Sequence, residues 1–532
     1  MPLTESLWVA EAGETVRQTT VGGLLRSAAA ANPHREALIE ADLTGQLGRR
    51  WTYAQLLADA EQLAGALASR YAPGERICIW APNAPEWVLI QYAAALAGLV
   101  LVTANPAYLR QELAFVLEQS RSVGLFITRE HRGNPMGEIA EAVAASLPAL
   151  REVVDIEDAE ALFAVRGAPG ALPEVSPGDA VQIQYTSGTT GFPKGALLHH
   201  LGLTNNARMV FARAGLKDGD TILNFMPMFH VSGCGVTTLG AAQINGRMII
   251  ARIFDPGQVL NRAEAERAPM LLGVPTMLVA MLEAQASAPR DLTSVRMTIS
   301  GGAMVPPELV RRVRADFDCG FQTVYGQTET SPVIAQTELN DEESDLCETV
   351  GRPMPATDLS IREPRTNAVL PVGSVGEICA RGYFVMLGYN DDEAATAGAI
   401  DADGWLHTGD LGTMDARGYV RVTGRVKEMI IRGGENLFPV EIENILLEHP
   451  DVAEVAVVGA PDPRWGEIVV CFVRPAAGAS LDPAALHAHC RRRLSAPKTP
   501  ARWIEVSEWP LTGSGKIQKF MLRDRFVAGE FD

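Results

Sequence analysis

Residues 185–195 read Y-T-S-G-T-T-G-F-P-K-G, a stretch in which hydroxyl side chains alternate with glycines and a lysine closes the run. The V-Q-I-Q run before it predicts a strand, so Thr186 to Gly191 are expected to form a loop at the strand end. Such loops bind anions, because glycines let backbone N–H groups converge while Ser, Thr and Lys194 add donors and positive charge. A plain surface turn would explain the glycines but not the four hydroxyls and the lysine. The spacing before the lysine also excludes the Walker A loop, G-x-x-x-x-G-K-[ST].

Helix and strand patterns alternate on both sides of this stretch. Thr52 is expected to cap a helix from Tyr53 to Arg70, and a strand follows at 76–80. Such alternation predicts a mostly parallel sheet with helices on both faces. Three of the predicted strands end in small or polar residues, at 186–195, 300–303 and 325–329. Because ligands bind at the carboxyl ends of strands in such sheets, we expect one composite site.

The pattern changes twice in the last third of the chain. From about residue 350, short strands punctuated by glycines predict an antiparallel subdomain that extends to about residue 425. After Arg425 the alternation of helices and strands resumes for about 105 residues, which predicts a separate α+β domain. We therefore expect domains at 1–425 and 426–532, with a joint near Lys427.

Composition excludes several classes of protein. The 532 residues exceed one hydrophobic core, and the net charge of −18 argues against a general nucleic-acid binder. Seven cysteines without a C-x-x-C pair suit a reducing compartment, so we expect a cytoplasmic protein. Trp87 to Ala104 approaches the length of a membrane span, but its pattern predicts a buried helix followed by a core strand. Peripheral membrane contact stays open, and we expect a monomer or homodimer.

Five motifs occur in one order along the chain. They are Tyr185–Gly195, Tyr325–Glu329, Thr408–Asp410, Gly424–Glu443 and Gly513–Lys516. In this order they resemble the adenylate-forming (AMP-binding) superfamily, which groups acyl-CoA synthetases, firefly luciferases and the adenylation domains of peptide synthetases. The resemblance covers almost the whole chain. It implies an α/β fold, in which a large N-terminal domain with mostly parallel, helix-flanked sheets and an antiparallel barrel-like subdomain precedes a small mobile α+β C-terminal domain.

The resemblance also implies a reaction and its site residues. A carboxylic acid and ATP would give acyl-AMP and pyrophosphate, and coenzyme A would then displace AMP, with Mg²⁺ held by Glu329. The residues implied for catalysis are Lys516, Glu329, Thr186 and Lys194. Those implied for the leaving phosphates are Ser187, Gly188, Thr189, Thr190 and Gly191. Those implied for the nucleotide are Gly301, Gly302, Ala303, Tyr325, Gly326, Thr328, Asp410 and Arg425, and those for the hinge and the pantetheine arm are Lys427, Gly433 and Gly434.

The acid is less clearly indicated. Met226–Gly235 resembles the stretch that flanks the family's acyl pocket, which implies that His230, Val231, Ser232, Gly233 and Cys234 line it. Amino-acid-activating relatives carry F-D-x-[ST], and the F-H-V-S at 229–232 lacks that aspartate. Some long-chain synthetases have a tryptophan where this chain has Cys234, whereas residues 381–389 resemble medium-chain or general fatty acyl-CoA synthetases. We therefore expect a medium- or long-chain fatty acid, with an aryl or alicyclic acid left open.

Three other functions compete with an acyl-CoA ligase. The first is an adenylating enzyme that loads an acid onto a carrier protein, and the second is a non-catalytic nucleotide-binding relative. Luciferase-type oxidation is the remotest of the three. The presence of Lys516, Glu329 and Asp410 argues against the non-catalytic relative.

Overall fold

The computed structural model describes residues 2–10, 15–165, 171–186, 193–433, 435–476, 478–511 and 517–531, with Asn436 described by its backbone alone. The chain divides into two compact units. The larger unit comprises Trp8–Asp358 and Ala380–Leu406, and the smaller comprises Met1–Leu7, Leu359–Cys379 and His407–Asp532. Among the residues that the structure describes, no helix combines the length and apolar character that crossing a membrane requires.

A seven-stranded sheet carries the first motif in the larger unit. From one edge to the other its strands are Gly388–Tyr389, Lys194–His199, Ala180–Thr186, Val100–Ala104, Arg76–Trp80, Ser122–Ile127 and Glu152–Asp155. The five strands from Ala180–Thr186 onward pair in parallel, and the two pairings made by Lys194–His199 are antiparallel. The predicted mostly parallel sheet is therefore confirmed.

Two further sheets complete the larger unit. The four-stranded sheet runs Thr221–Asn224, Arg247–Ala251, Glu36–Ala41 and Leu47–Thr52, and the five-stranded sheet runs Met270–Leu272, Met297–Gly301, Gly320–Gly326, Val333–Gln336 and Arg352–Pro353. In each sheet the first three strands pair in parallel and the remaining pairings are antiparallel. The second and third of the predicted strand-end stretches, at 300–303 and 325–329, thus belong to a different sheet from the first.

Some helices of the larger unit begin at residues whose side chains cap them. The Thr52 hydroxyl accepts from the Gln55 backbone N–H, and the Gln55 side chain accepts from the Thr52 N–H, so a capping box starts the helix Tyr53–Ala68. Every residue of Pro85–Leu96 is buried, which explains the long apolar run as core. The α-helices are Val21–Ala31, Tyr53–Ala68, Pro85–Leu96, Arg110–Gln119, Met136–Ala144, Ala159–Leu162, His200–Arg213, Gly240–Gln243, Pro256–Ala265, Pro275–Ser287, Pro307–Asp316, Glu343–Glu348 and Glu393–Ala399.

The smaller unit contains two sheets. One runs Leu7–Trp8, Thr357–Arg362, Gly376–Gly382, Leu406–Met414 and Val420–Arg425. The other runs Glu435–Leu437, Ile430–Arg432, Gly466–Pro475 and Val452–Asp462, and Arg502–Glu505 pairs in parallel with Gly466–Pro475. The helices are Pro439–Leu447, Pro483–Arg491 and Lys519–Val527. The predicted α+β character is confirmed, whereas the barrel-like closure and the joint near Lys427 stay predictions.

Candidate active site

The first motif lies at a pair of antiparallel strands. Thr186 ends one strand, Lys194 begins the next, and the two residues face each other in the sheet. The Thr186 hydroxyl lies 3.4 Å from the Lys194 carbonyl oxygen. The expectation that Thr186 belongs to the loop is therefore wrong, because it is the last residue of its strand. The predicted phosphate residues Ser187, Gly188, Thr189, Thr190 and Gly191 lie outside the described residues.

Lys194 and Glu329 contact the same aromatic side chain. The Lys194 ammonium lies 4.9 Å from the centroid of the Tyr389 ring, a cation–π distance. The Tyr389 hydroxyl donates to Glu329 Oε1 at 2.7 Å. Two of the predicted catalytic residues, 135 positions apart in the sequence, therefore lie at one place in the larger unit.

Backbone hydrogen bonds hold the segment that carries Tyr389. The Met386 N–H donates to the Glu329 carbonyl at 2.9 Å, and the Asn390 N–H donates to the Gly195 carbonyl at 2.8 Å. Between these bonds, Gly388–Tyr389 pairs as an edge strand with Lys194–His199. The strand ends at 186–195 and 325–329 are thus joined through residues 386–390, although they belong to different sheets.

Tyr389 was not among the predicted site residues. Burial raises the pKa of its phenol above the ordinary value, and the neighbouring Glu329 charge raises that pKa further. The hydroxyl therefore stays protonated and able to donate at neutral pH. The sequence signal was the R-G-Y-F-V-M-L-G-Y stretch, which suggested a substrate class but not a contact with Glu329.

The predicted adenine residues lie at the ends of two neighbouring parallel strands. Gly301 faces Val324, and a Cβ at Gly301 would lie 2.4 Å from the Val324 carbonyl oxygen, so only glycine fits. Gly302 and Ala303 follow the strand and are exposed, whereas Tyr325 is half-buried. Of the other residues predicted to bind the nucleotide, Gly326 ends the second strand, and Thr328 is buried in the 3₁₀ turn Thr328–Thr330.

Asp410 and Arg425 form an ion pair in the smaller unit. They face each other on adjacent antiparallel strands, with Arg425 Nε 2.9 Å from Asp410 Oδ1. The Asp410 side chain is 10% exposed and that of Arg425 46%. The resemblance implied that Arg425 supports Asp410, and the structure shows this contact.

Glu377 holds the strand segment that precedes Asp410, and sequence reasoning missed this role. Its carboxylate accepts from the Gly409 N–H at 3.0 Å and lies 2.9 Å from His407 Nδ1. The Thr408 hydroxyl donates to the Ile378 carbonyl at 2.7 Å. These contacts between adjacent strands fix the T-G-D backbone, so the Asp410 carboxylate is presented from within the strand Leu406–Met414.

The hinge and loop residues of the smaller unit are described in part. Lys427 lies in the 3₁₀ turn Val426–Glu428, and the exposed Gly433 donates its N–H to the Trp465 carbonyl at 2.7 Å. The predicted Gly434 and Lys516 lie outside the described residues. Lys519, three positions after Lys516, is clamped between two carboxylates, with Nζ 2.7 Å from Glu443 and 3.3 Å from Glu428.

The acyl motif forms a π-helix, which the sequence did not predict. The helix spans Ser232–Leu239, and the hydroxyls of Thr237 and Thr238 donate to carbonyls five positions earlier, at 2.7 and 2.8 Å. A Cβ at Gly233 would lie 2.3 Å from the Pro227 carbonyl oxygen. Close backbone packing therefore requires glycine at 233, independently of the size of the acid that binds.

The five predicted pocket residues differ in exposure. His230 and Ser232 are half-buried and contact each other through Nδ1 and Oγ at 3.0 Å. Val231, Gly233 and Cys234 are buried. The Cys234 sulfur accepts from the amides of Gln182 and Gln184 at 3.3 and 3.0 Å, and burial raises the pKa of its thiol to about 12. These contacts place Cys234 of the π-helix against the strand Ala180–Thr186 rather than at an open surface.

The residues present fit Mg²⁺ through Glu329. Glu329 is buried, with 7% of its surface exposed. Its carboxylate offers the hard oxygen ligand that Mg²⁺ prefers, and Mg²⁺ is usually bound by one or two carboxylates together with substrate phosphates. Within the described ranges, three potential ligands cluster at Glu377, Cys379 and His407, whose ligand atoms lie within 4.8 Å of one another. Imidazole and thiol suit softer metals, so this cluster fits Mg²⁺ less well than Glu329 does.

Comparison with known proteins identifies the family. The AMP-binding enzyme model matches residues 25–390, and the model of the AMP-binding enzyme C-terminal domain matches residues 441–516. The chain belongs to the AMP-binding enzyme family. This AMP-binding enzyme is an AMP-forming acid–thiol ligase, which confirms the predicted reaction class with ATP and Mg²⁺ as cofactors and coenzyme A as substrate.

Relatives of this AMP-binding enzyme match along almost its whole length. YngI of Bacillus subtilis, named as an acyl-CoA synthetase, is 38% identical over 539 residues, covering 96% of this chain and 97% of that protein. The mitochondrial medium-chain acyl-CoA ligase ACSF2 of Macaca fascicularis is 35% identical over 540 residues, covering 95% and 87%. The crystal structure of ATP-bound MatB from Rhodopseudomonas palustris superposes with a TM-score of 0.85 at 28% identity, covering 96% and 99%. These matches confirm the predicted fold class.

Proposed function

We propose that this enzyme is an ATP-dependent acyl-CoA ligase for a medium- or long-chain fatty acid. The observation that carries the proposal is the contact of Lys194 and Glu329 with one tyrosine, which concentrates a cation and a metal-binding carboxylate beside the first motif. The acid is supported by the similarity to a medium-chain acyl-CoA ligase. The absence of an aspartate in F-H-V-S at 229–232 argues against a free α-amino acid.

The first half-reaction joins two anions, so the site must supply cations and hydrogen-bond donors where charge develops. A carboxylate oxygen attacks the α-phosphorus of ATP, the Pα–O bond to the β-phosphate breaks, and pyrophosphate leaves with the electron pair. Lys194 would neutralise the departing phosphates together with the donors of the first motif. Glu329 would hold Mg²⁺, which supplies further positive charge to the phosphates when bound.

The nucleotide would be held by two groups of residues. The backbone at Gly301–Ala303 and the Tyr325 ring would contact the adenine, since an aromatic face recovers apolar contact. The Asp410 carboxylate would accept hydrogen bonds from the ribose hydroxyls while Arg425 holds it. Lys516 would bridge the substrate carboxylate and the α-phosphate.

In the second half-reaction the coenzyme A sulfur attacks the acyl carbon, the bond to the AMP oxygen breaks, and the thiol proton is lost. We propose that the domain after Lys427 changes orientation between the two steps and that Gly433 and Gly434 let the pantetheine arm pass close to the backbone. A cytoplasmic location is supported by the seven free cysteines, of which six are buried.

Product analysis tests the function. The wild-type protein would be incubated with ATP, Mg²⁺ and straight-chain acids of increasing length, with and without coenzyme A, and the products identified by mass spectrometry. We expect AMP and acyl-CoA, with the highest kcat/KM at medium or long chain length. An adenylate that persists despite coenzyme A would support loading of a carrier protein instead, and no turnover with any acid would contradict the proposal.

Lys516→Ala tests the division between the half-reactions. We expect adenylate formation to fall by about 100- to 1,000-fold, because the variant loses a cation at the reacting oxygens. Thioester formation from supplied acyl-AMP should largely survive. Lys498→Ala is the matched control, since this lysine pairs with Glu441 in the same unit and lies outside the five motifs. Equal loss of both half-reactions in Lys516→Ala would contradict the assignment.

A further inference from the structure

Tyr389 contacts two residues that the proposed function uses and has no role in the reaction so far. We propose that Tyr389 is a positioning residue that keeps the Lys194 ammonium and the Glu329 carboxylate from pairing with each other. The ammonium is then available for phosphate, and the carboxylate is available for Mg²⁺. The inference rests on the proposed function and adds to it a determinant of metal affinity.

The separation of the two charges is the first argument. A lysine and a glutamate that pair directly offset each other's charge, which leaves less of either charge for a ligand. Within the described ranges, the structure shows no direct ion pair between Lys194 and Glu329 and instead places the Tyr389 ring against one and its hydroxyl on the other. Each charged group thus contacts a neutral side chain rather than the other charge, so both charges remain to act on a bound ligand.

The fixed position of the ring is the second argument. The Met386 and Asn390 N–H groups bond the backbone on either side of Tyr389 to Glu329 and Gly195. The Tyr389 N–H itself donates to the Thr396 hydroxyl at 2.8 Å. A side chain held at its backbone and at its hydroxyl fixes its partners in one geometry, as preorganised sites require.

A second tyrosine–glutamate pair beside cations, the Tyr71 triad of Tyr71, Glu152 and Arg151, provides the contrast. The Tyr71 hydroxyl donates to Glu152 Oε1, and the Arg151 guanidinium lies 5.4 Å from the Tyr71 ring centroid. Here a further cation over the ring, Arg70 at 5.8 Å, also pairs directly with the glutamate, with Nη1 3.5 Å from Glu152 Oε1. None of these residues belongs to a motif, and Tyr71 is only 4% exposed. The Tyr71 triad therefore provides a control for what a tyrosine–glutamate hydrogen bond beside a cation contributes to the fold alone.

The test measures metal and nucleotide binding without turnover. Full-length wild type, Tyr389→Phe, Tyr389→Leu and Tyr71→Phe would be titrated with α,β-methylene-ATP, whose bridge between the α- and β-phosphates cannot be cleaved, so that it cannot adenylate an acid. Nucleotide affinity would be measured by calorimetry in EDTA, and Mn²⁺ affinity of the nucleotide complex by electron paramagnetic resonance. Circular dichroism and melting temperature would report folding of each variant.

Phenylalanine keeps the ring and removes the hydroxyl. We expect Tyr389→Phe to bind Mn²⁺ roughly 10- to 100-fold more weakly, the size of a hydrogen bond to a charged group, with metal-free nucleotide affinity within about twofold of wild type. Leucine removes the ring as well. We then expect Lys194 to pair with Glu329 and the metal-free nucleotide affinity to fall by about a further two- to fivefold. Tyr71→Phe should change neither affinity.

A double-mutant cycle shows whether Tyr389 acts through Glu329. In the Glu329→Gln background, Tyr389→Phe should have no further effect on Mn²⁺ affinity. Unchanged Mn²⁺ affinity in Tyr389→Phe, or an equal loss of metal-free nucleotide binding, would overturn the inference and leave the proposed function intact. A wild-type protein that binds neither nucleotide nor Mn²⁺ would overturn both.

Discussion

Glu329 and Asp410 are both buried carboxylates in sequence motifs, but the structure holds them with opposite kinds of partner. Glu329 accepts from a neutral tyrosine hydroxyl, whereas Asp410 pairs with the Arg425 guanidinium. A neutral partner leaves the carboxylate its full charge, which suits a metal ligand. A cationic partner offsets the charge and leaves hydrogen-bond acceptors, which suits the neutral hydroxyls of a ribose. The partner of each carboxylate thus matches the ligand that we assign to it.

The largest expected effect comes from removing the charge of Glu329. Glu329→Gln keeps the size of the side chain and its acceptor for Tyr389, but it loses the charge for Mg²⁺. We expect adenylate formation to fall by about 100- to 1,000-fold, a typical loss for one electrostatic group in an active site. The measurement is acid-dependent pyrophosphate release at several Mg²⁺ concentrations. Glu152→Gln, in the Tyr71 triad, is the control. A Glu329→Gln enzyme that keeps the Mg²⁺ dependence of the wild type would contradict the proposal that Glu329 holds Mg²⁺.

A smaller effect is expected at Asp410. Asp410→Asn replaces a charged acceptor with a neutral one, so we expect the KM for ATP to rise by about 10- to 100-fold, with the Mg²⁺ requirement unchanged. 2′,3′-Dideoxy-ATP tests the cause, because it lacks the hydroxyls that Asp410 would accept from. The variant and the wild type should use this analogue equally well. A variant that loses as much with the analogue as with ATP would show that Asp410 does not bind the ribose.

The smallest effect is expected at Arg425, because its side chain is 46% exposed and water can take its place. For Arg425→Gln we expect the KM for ATP to rise by up to about fivefold, since exposed ion pairs contribute about 0.2–1 kcal/mol. Arg474→Gln is matched to it, because Arg474 is 42% exposed and pairs across a hairpin with Glu454 at 2.6 Å. Steady-state kinetics should separate the two variants, and an equal response would mean that the Asp410 pair only stabilises the fold.

Local sequence signals predicted the elements well. Thr52 marks a helix start that the structure places at Tyr53, and the apolar run from Trp87 lies in the buried helix Pro85–Leu96, as expected. Capping and periodicity depend on neighbours in the chain, so they can be identified without knowing the fold. The pairing of Asp410 with Arg425 was also anticipated, through resemblance to the family rather than from spacing.

Other features depended on contacts between distant segments. Nothing near Ser232–Leu239 distinguishes a π-helix from an α-helix, and the role of Gly233 becomes clear only beside the Pro227 carbonyl. The contact of Tyr389 with Glu329 joins residues 60 positions apart. Such contacts are set by the register of strands and the packing of segments, which no local pattern encodes.

The sequence by itself determined the family, the order of the motifs and the residue types that the chemistry needs, because these are properties of the chain read in order. Only the tertiary structure decided which neutral or charged side chain each carboxylate meets. It placed Tyr389 between Lys194 and Glu329 and Arg425 against Asp410. The physical reason is that a carboxylate's charge is modified by its nearest neighbours in space, and folding alone selects those neighbours.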